Sequence, residues 1–529
     1  MLQTPRAMRG MVVAPHHLAA EAGLRVLREG GNAIEAMVAA AAAIAVVYPH
    51  MNSLGGDNFW LISDGTSAPI GIDACGAVAG AADIALYRGQ GYETIPSRGP
   101  LAANTVAGAV SGIGAALRLS ARWGGRLGLA RLFEDAVHYA LNGFPVTGSQ
   151  HANTVAKLPE LADVPGFAAT FLEDGEIPAV GAVFSNPALA DTLTRIAKAG
   201  TDDFYRGDLA RALAAALRRA GSPVAADDLA RHRVIAVTPL KVRLETGTVY
   251  NMPPPTQGLA SLIVLALFDR LGCREADGFD HVHGLVEATK RAFRVRDSHV
   301  TDPAHMKIPP EHFLDGGRLD DMAATIDAAR AMPWGTDPGA GDTVWLGAID
   351  GEGRAVSFIQ SIYWEFGSGV VLEDTGIVWQ NRGTYLSLDE GALNPLAPGR
   401  KPFHTIQPAM AGLDDGRLMV YGTMGGEGQP QTQAAIYTRH VNFAQALQAA
   451  VTAPRWLLGR TWGDARTSLR IENRFDRAVI DALIAAGHDV ELTAEFDEVM
   501  GHAGALVRHP SGLIEGAADP RGDGAAAGF

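Results

Sequence analysis

The sequence predicts an α+β fold in which stacked β-sheets lie between layers of helices. Stretches with helical periodicity fill most of the first half of the chain, and short strand-like stretches concentrate after residue 343. Helical segments return after these strands and therefore flank them on both sides in the sequence. Elements in this order bury their apolar faces well when helices cover the outer faces of packed sheets.

Two consecutive helices are predicted near the start of the chain. The first covers residues 16–29, where Leu and Val side chains share one face, and the pair Gly30-Gly31 ends it. Asn32 can cap the second, over residues 33–47, which is apolar on all sides and therefore belongs in a core. Further helices are predicted over residues 105–143 (broken at 124–125), 189–199, 209–220, 259–271, 281–299, 433–451 and 477–486.

Strands are predicted where apolar residues alternate with other residues. The glycine turn at residues 53–57 leads into one such stretch, and a Pro/Gly-rich segment at residues 333–341 leads into another. The predicted strands cover residues 58–63, 234–249 (as paired strands), 343–349, 355–362, 377–380 and 418–422.

Composition excludes several classes of protein. The formal net charge of -14 disfavours a nucleic-acid partner, although a local arginine could still bind a small anion. The two cysteines, Cys75 and Cys273, cannot form a disulfide framework and suit a reducing compartment. The first nine residues lack the apolar core of a signal peptide, and the most apolar run is shorter than the ~20 residues of a membrane helix. We therefore expect a cytoplasmic protein without a membrane partner.

Thr343 is the candidate for chemistry. Our hypothesis is that the protein itself cuts the bond between Asp342 and Thr343, so that the Thr343 hydroxyl becomes a nucleophile and its new α-amine a base. An α-amine has a pKa of about 7.7–8.0, which leaves a useful fraction as free base near neutral pH. Residues 424–428 (Met-Gly-Gly-Glu-Gly) could supply backbone N–H donors to the developing oxyanion. The alternatives are a plain strand threonine and a plain glycine turn.

Several short stretches in order along the chain resemble the gamma-glutamyltranspeptidase family. They are Gly-Gly-Asn-Ala at 30–33 with Gly-Gly at 55–56, Met-Pro-Pro-Pro at 252–255, Glu-Ala-Thr-Lys-Arg-Ala-Phe at 287–293 with Asp-Pro at 302–303, and Asp-Pro-Arg-Gly-Asp-Gly at 519–524. Together they span nearly the whole chain. The resemblance implies an N-terminal-nucleophile hydrolase with a four-layer αββα fold, made as a precursor that cuts itself in two.

The resemblance also implies roles for individual residues. The large subunit would be residues 1–342 and the small subunit residues 343–529, and together they would form one αββα unit. Thr343 would be the nucleophile, Gly425 and Gly426 the oxyanion donors, and Ser361 a hydroxyl beside the nucleophile. Two subunits from one precursor are expected, and a homodimer of that pair is left open.

The sequence departs from the family where glutamyl substrates bind. The family's carboxylate-binding arginine has no counterpart in Ala-Cys-Gly-Ala-Val-Ala at 74–79, and no arginine follows before Arg88. Tyr363 and Tyr385 stand where the family places an Asn and an acidic residue for the α-amine, and His404-Thr405 replaces a Ser-Ser pair. An ammonium group without a carboxylate partner loses a charge-assisted hydrogen bond of about 1.5–3 kcal/mol. We therefore expect a glutamyl donor to bind poorly.

The remaining polar residues suit a small acid amide without an amino group, such as oxamate. The candidate binding residues are Arg382, His404 and Thr405, together with Arg98, and an arginine can hold a carboxylate through two parallel bonds. Residues 422–431 are similar to the oxamate amidohydrolase-like branch of the family. Three alternatives stay open: surface or structural roles for these side chains, gamma-glutamyl transfer from glutathione-like donors, and an unprocessed relative that only binds a ligand.

No metal and no cofactor are predicted. His283 and Glu287 stand four residues apart on the helix 281–299, but the sequence offers no third ligand near them. The charged residues of that helix, including Glu287, Lys290, Arg291 and Arg294, are instead expected to face solvent. No glycine turn carries the Lys-Ser/Thr of a phosphate-binding loop.

Overall fold

Helices fill much of the chain before residue 330 and return after residue 427. The structure is a computed structural model that describes residues 3–334, 342–459 and 467–529, with Asp342 described by its backbone alone. The helices are α1 (His17–Arg28), α2 (Ala33–Val47), α3 (Ile84–Gly89), α4 (Ala109–Arg122), α5 (Leu129–Leu132), α6 (Glu134–Asn142), α7 (Gly148–Leu161), α8 (Phe167–Phe171), α9 (Pro187–Ala199), α10 (Asp203–Arg206), α11 (Asp208–Ala220), α12 (Ala226–Arg231), α13 (Gly258–Arg270), α14 (Phe279–His299), α15 (Gly316–Ala324), α16 (Gly428–Tyr437), α17 (Leu447–Thr452) and α18 (Arg477–Ala485).

The strands are short. They are β1 (Arg6–Ala7), β2 (Gly10–Ala14), β3 (Asp57–Ser63), β4 (Ile70–Ala74), β5 (Phe144–Pro145), β6 (Val183–Phe184), β7 (Ile235–Val237), β8 (Leu240–Leu244), β9 (Gly247–Asn251), β10 (Asp342–Asp350), β11 (Ala355–Tyr363), β12 (Val371–Leu372), β13 (Ile377–Val378), β14 (Ala409–Leu413), β15 (Leu418–Thr423), β16 (Trp456–Leu458), β17 (Leu469–Glu472), β18 (Val490–Thr493), β19 (Ala503–Arg508), β20 (Ile514–Ala518) and β21 (Ala525–Gly528).

Two seven-stranded antiparallel sheets form the centre of the molecule. One sheet, called the nucleophile sheet here because it contains β10, has the order β21-β2-β10-β11-β3-β4-β7. The other, called the facing sheet, has the order β1-β20-β19-β15-β14-β9-β8. Both sheets combine strands from before and after the bond between Asp342 and Thr343. The two parts of the chain are therefore interleaved.

Three apolar cores separate four layers, and this confirms the predicted αββα fold. One core joins the nucleophile sheet to the helices of the first part of the chain, α2 among them. A second joins the facing sheet to α13, α14 and α16. The third lies between the sheets and includes Phe59, Trp345 and Ile359 from one sheet and Met410 and Val420 from the other. Alternating side chains of each strand thus fill cores on its two faces.

Helix α2 has the bounds that the sequence predicts, and the reason is local. The Asn32 side chain accepts hydrogen bonds from the N–H groups of Ile34 and Glu35, and the Glu35 carboxylate accepts one from the Asn32 N–H. This capping box fixes the first turn. All fifteen residues of the helix are buried, as its uniformly apolar sequence indicates.

Two predictions about helices are wrong. The segment predicted as one helix over residues 433–451 begins earlier, at Gly428, passes through a π-turn at Thr438–Asn442, and stops before α17. Glu287, Lys290 and Arg291 are buried rather than solvated, because they pair with one another and with residues Thr325 and Met332. Arg294 is exposed as expected. Of the Pro/Gly-rich segment predicted at residues 333–341, residues 335–341 lie outside the described residues.

Candidate active site

Thr343 lies at the start of β10 and is completely buried. The register between β10 and β11 shifts there: Asp342 pairs with Tyr363 and Val344 with Gln360, so Thr343 is opposite the stretch that contains Ser361. Trp345 belongs to the core between the sheets. Because side chains of a strand alternate, Thr343 falls on the same inner face as Trp345.

Trp345 fixes the start of β10 against the facing sheet. Its indole N–H donates to the Ser357 hydroxyl at 3.0 Å. Its ring packs against two glycines of the facing sheet. A Cβ atom added to Gly422 would lie 2.2 Å from the ring, and one added to Gly504 would lie 2.6 Å from it. Two strands that must approach so closely need glycine at these positions. Trp345 therefore places the start of β10 over the end of β15.

A glycine turn follows β15 directly. Gly425 and Gly426 have φ angles of +108° and +50°, which favour glycine, and the Gly425 carbonyl accepts the Gly428 N–H at 2.7 Å at the start of α16. The Gly426 carbonyl accepts a hydrogen bond of 2.8 Å from the Gln257 side chain. The N–H groups of Met424 and Gly428 are bonded within the chain, whereas none of the backbone bonds among the described residues uses the N–H of Gly425 or Gly426.

Gln257 and Arg296 support this turn from the first part of the chain. The Gln257 side chain also donates to the Thr405 carbonyl at 2.6 Å, and its oxygen accepts from Arg296 at 3.0 Å. Arg296 donates in addition to the Glu427 carboxylate at 2.8 Å. One buried network therefore joins the glycine turn to the segment that carries Thr405.

Three adjacent strands of the nucleophile sheet place a row of polar residues on the inner face. Ser361 of β11 lies directly opposite Asp57 of β3, and both are completely buried. The Ser361 hydroxyl accepts the Tyr363 N–H at 2.8 Å. The chain passes Ser361 closely at Gly56, where an added Cβ would be 2.2 Å from the Ser361 carbonyl oxygen. The glycine turn before β3 thus lets Asp57 and Ser361 stand side by side.

Arg382 points into the same region from the 3₁₀ turn Arg382–Tyr385. Its guanidinium is completely buried, donates to the hydroxyls of Ser361 and Thr405 at 3.3 Å each, and lies 4.1 Å from the centre of the Tyr363 ring. Burial lowers the pKa of Arg382 to about 10, which leaves it a cation at neutral pH. Among the described residues, no carboxylate forms a salt bridge with it.

His404 completes this group. Its backbone N–H donates to the Pro255 carbonyl, its ring packs edge-on against Phe59, and its Nε2 lies 3.7 Å from Asp57 Oδ2. Burial, with the nearby cations of Arg382 and Lys401, holds the pKa of His404 well below its usual range, so the ring is neutral. We call Asp57, Ser361, Arg382, His404 and Thr405 the pocket cluster.

Three other predicted binding residues have different surroundings. Arg98 donates to Glu160 and to the backbone carbonyls of Glu365 and Gly367, so its bonds hold the chain after β11 rather than reach the pocket cluster. Tyr363, at φ +83°, lies under Arg382. Tyr385 stacks on Phe403 at 4.5 Å, and burial raises its pKa well above the usual range, so it stays neutral.

The sequence reasoning missed Asp57, Gln257 and Arg296. In the sequence, Asp57 looks like the end of a glycine turn. A single carboxylate at the start of an otherwise apolar strand could nevertheless have indicated a functional residue. Cys75, in the stretch after which the family's arginine would be expected, is buried, and burial together with Asp73 and Asp57 raises the pKa of its thiol. It cannot replace the cation that Arg382 supplies.

One group of potential metal ligands occurs among the described residues. Ligand atoms of His283, Glu287 and His488 lie within 4.8 Å of one another. His283 Nδ1 is hydrogen-bonded to His488 Nε2 at 2.8 Å, and Glu287 accepts from Lys290 and Arg291 at 2.8 Å each. Glu287, the carboxylate of this group, already binds two cationic side chains, which argues against a metal ion as a third cation. The expectation of no metal stays a prediction.

Comparisons with known proteins agree with this geometry. A sequence model of the gamma-glutamyltranspeptidase family matches residues 19–529. An oxamate amidohydrolase proenzyme of Klebsiella pneumoniae is 57% identical over 521 residues, 98% of each chain. A glutathione hydrolase-like YwrD proenzyme of Bacillus subtilis is 42% identical over 522 residues, again 98% of each chain. A cephalosporin acylase from Bacillus halodurans has a solved structure with a TM-score of 0.91 and 32% identity, covering 100% of this chain and 97% of that one.

The described part of the chain contains no helix with both the length and the apolar character needed to cross a bilayer. Both the family match and the relatives extend over nearly the full sequence, and the two interleaved sheets are shared with a solved acylase. The chain belongs to the gamma-glutamyltranspeptidase family of N-terminal-nucleophile amide hydrolases.

Proposed function

We propose that the protein cuts its own Asp342–Thr343 bond and then hydrolyses a small acid amide, with oxamate as the first candidate. The observation that carries this proposal is Arg382, a fully buried cation on the inner face of the nucleophile sheet, one strand away from Thr343. A buried cation that forms no salt bridge with the described residues is costly, and the carboxylate of an anionic substrate would supply that salt bridge.

The proposed reaction uses Thr343 at the start of β10 and the glycine turn after β15. The Thr343 hydroxyl attacks the amide carbon while the Thr343 α-amine takes its proton. The N–H groups of Gly425 and Gly426 hold the oxyanion, and Trp345 keeps the end of β15 next to the start of β10. The C–N bond then breaks, and the amine's proton leaves with ammonia. Water cleaves the remaining ester, which releases the acid and restores the hydroxyl.

Substrate binding is assigned to the pocket cluster. Arg382 would hold the carboxylate of the amide in two parallel bonds, and Thr405 and His404 would line the opposite side. Ser361 would orient the new α-amine, because it lies opposite the Thr343 stretch in the ladder. Arg98, Tyr363 and Tyr385 would support the pocket through packing rather than bind the substrate. The 57% identity to an oxamate amidohydrolase proenzyme supports the choice of substrate.

The deciding experiment measures the intact mass of the purified chain and its ammonia release from oxamate. The native protein should yield two fragments, the smaller beginning at Thr343, and should release ammonia. Thr343→Ala should stay whole and inactive. Thr375→Ala, a matched control whose buried hydroxyl bonds the Leu372 carbonyl, should be cut and active. Cleavage that persists in Thr343→Ala would reject the proposed nucleophile.

Two rival functions give different outcomes in the same assay. A gamma-glutamyl hydrolase or transferase, as the name of the Bacillus subtilis relative suggests, would release glutamate from a glutathione analogue and leave oxamate untouched. A binding protein that is never processed would remain one 529-residue chain after long incubation. Either outcome would replace the proposed function.

A further inference from the structure

Two completely buried side chains of the pocket cluster keep polar atoms without a partner in the described chain. Asp57 Oδ1 accepts the N–H groups of Gly76 and Gly108 at 3.0 and 2.9 Å. Oδ2 has no partner of hydrogen-bond geometry, although the Gln380 side chain lies close enough to lower the pKa of Asp57. Neither ring nitrogen of His404 is hydrogen-bonded, and its 3.7 Å separation from Oδ2 is too long for a hydrogen bond. Buried polar atoms are nearly always paired, so these atoms point to a ligand.

The atoms without partners surround one place. Asp57 lies beside Ser361 in the ladder, and Arg382, whose Nε also lacks a partner, donates to Ser361 and to Thr405, the neighbour of His404. In the ladder, the backbones of Ser361 and Asp57 lie one and two strands from that of Thr343, and Arg382 reaches Ser361 from the adjacent turn. A short acid amide that reacts at Thr343 would therefore have its carboxylate between Arg382 and the two orphaned side chains.

The bonds of Asp57 decide where a proton must sit. Two backbone N–H groups occupy Oδ1, so the carboxylic acid form carries its proton on Oδ2, the oxygen 3.7 Å from His404 Nε2, and can donate it to a ligand acceptor there. The neighbouring Gln380 Oε1, which also lacks a partner, is the competing acceptor. Burial raises the pKa of Asp57 to about 7, although the hydrogen bonds from Gly108 and Gly76, the charge of Arg382 and the Gln380 side chain all act to lower it. His404, the Cys75 thiol and the Tyr205 phenol, which lie next to it, are neutral, and the ion pair of Lys401 with Asp73 lies beside His404 and Cys75. An anion bound at Arg382 would repel the carboxylate and favour the acid.

We propose that Asp57 recognises the substrate as a neutral acid, donating a hydrogen bond from Oδ2 to the carboxylate that Arg382 holds, while a ring N–H of His404 donates a second. This inference rests on the proposed function and explains how the enzyme would select among acid amides. The pocket then accepts a monoanionic acid amide and binds an α-ammonium group poorly, because no ionised carboxylate remains to receive it. Binding takes up one proton whenever Asp57 is ionised beforehand.

Calorimetry tests this uptake without relying on turnover. Oxalate is titrated into the mature enzyme at pH 8 in two buffers that differ in ionisation enthalpy. Native enzyme should take up close to one proton per oxalate bound, and Asp57→Asn, which cannot titrate, should take up none. Asp350→Asn is the matched control, since this buried carboxylate sits at the other end of β10, bound to Arg354. It should behave like native. No oxalate binding, no uptake by native enzyme, or uptake that persists in Asp57→Asn would overturn the inference.

Kinetics give a second readout. The KM of native enzyme for oxamate should rise about tenfold per pH unit above neutrality, because a single group leaves its binding form. The KM of Asp57→Asn should stay level from pH 6 to 9 and fall below the native value at pH 9, whereas Asp57→Ala should raise KM about tenfold at pH 6. An equal rise in KM for both variants at every pH would contradict the proposal that Asp57 binds the substrate as a neutral acid. If oxamate releases no ammonia while oxalate still binds with proton uptake, the proposed function fails and the acid assignment survives.

Discussion

Two buried clusters of charged and polar side chains differ in how completely their atoms are bonded. The α14 cluster, formed by His283, Glu287, Lys290, Arg291 and His488, has a partner for every buried polar atom among the described residues, and both Glu287 oxygens accept from a cation. The pocket cluster leaves Asp57 Oδ2, Arg382 Nε and both His404 nitrogens unpaired. The first cluster is saturated and holds helices together. The second has bonding capacity left over, which is what a binding site requires.

The largest effect should come from breaking the saturated cluster. Glu287→Gln leaves Lys290 and Arg291 buried without their anion, and removal of one partner from such a group costs about 3–5 kcal/mol. Urea titration should show this loss in the free energy of unfolding. Glu134→Gln, which breaks an exposed pair with Arg131, should cost under about 1 kcal/mol. A Glu287→Gln variant with native stability would show that the α14 cluster does not stabilise the fold, despite its burial.

Arg382→Met tests the opposite behaviour. Without Arg382 the substrate carboxylate loses its cation, and kcat/KM for oxamate should fall about 100-fold, which corresponds to about 2.7 kcal/mol. Stability should hold or rise, because a buried cation without an ionic partner is removed. Arg439→Met, which removes a buried arginine paired with Asp277, should instead lose stability. Destabilisation of Arg382→Met to the same degree would place Arg382 among the structural arginines.

Gly422→Ala should have a smaller effect, on the support of the site. The new Cβ would lie 2.2 Å from the Trp345 ring, and forcing the ring aside should cost about 1–3 kcal/mol. The start of β10 would move with it, so kcat should fall more than KM rises. Gly412→Ala, on the neighbouring strand β14 with nothing within 4 Å of the added carbon, is the control and should have little effect. Equal effects of the two variants would argue against a positioning role for Trp345.

The smallest effect is expected from a chelator. EDTA should leave both the Tm and the rate of ammonia release unchanged, because the ligand atoms of His283 and Glu287 are already bonded to His488, Lys290 and Arg291. A fall of several degrees in Tm, reversed by added Zn²⁺, would show that a metal displaces these bonds.

Local signals let the sequence predict much of the fold. The Asn32 cap and the apolar run after it define α2, and the alternation after Asp342 defines β10, because both depend on neighbours within a few residues. The burial of Glu287 could not be predicted, since periodicity counts charged residues as solvated and does not see that Lys290 and Arg291 neutralise it. The ion pairs with Lys290 and Arg291 are what allow Glu287 to be buried.

The candidate site was predictable only in part, for the same reason. Thr343 and the two glycines are recognisable as motifs, and Arg382 emerged because the family's own arginine is missing. Asp57 was missed because its meaning depends on register: it faces Ser361 across 304 residues of sequence, and no local pattern reports that pairing. Gln257 was missed likewise, since its carbonyl partners belong to distant segments.

The interleaving of strands in both sheets has a consequence for the proposed cut. β10 is hydrogen-bonded to β2 on one side and to β11 on the other, and β11 is bonded in turn to β3. Severing the backbone before Thr343 would therefore remove one covalent link near the start of β10 and leave the pairs from Val344 onward in place. The products should migrate as one particle in gel filtration and come apart only in denaturant, so maturation would create a reactive chain end without releasing either half.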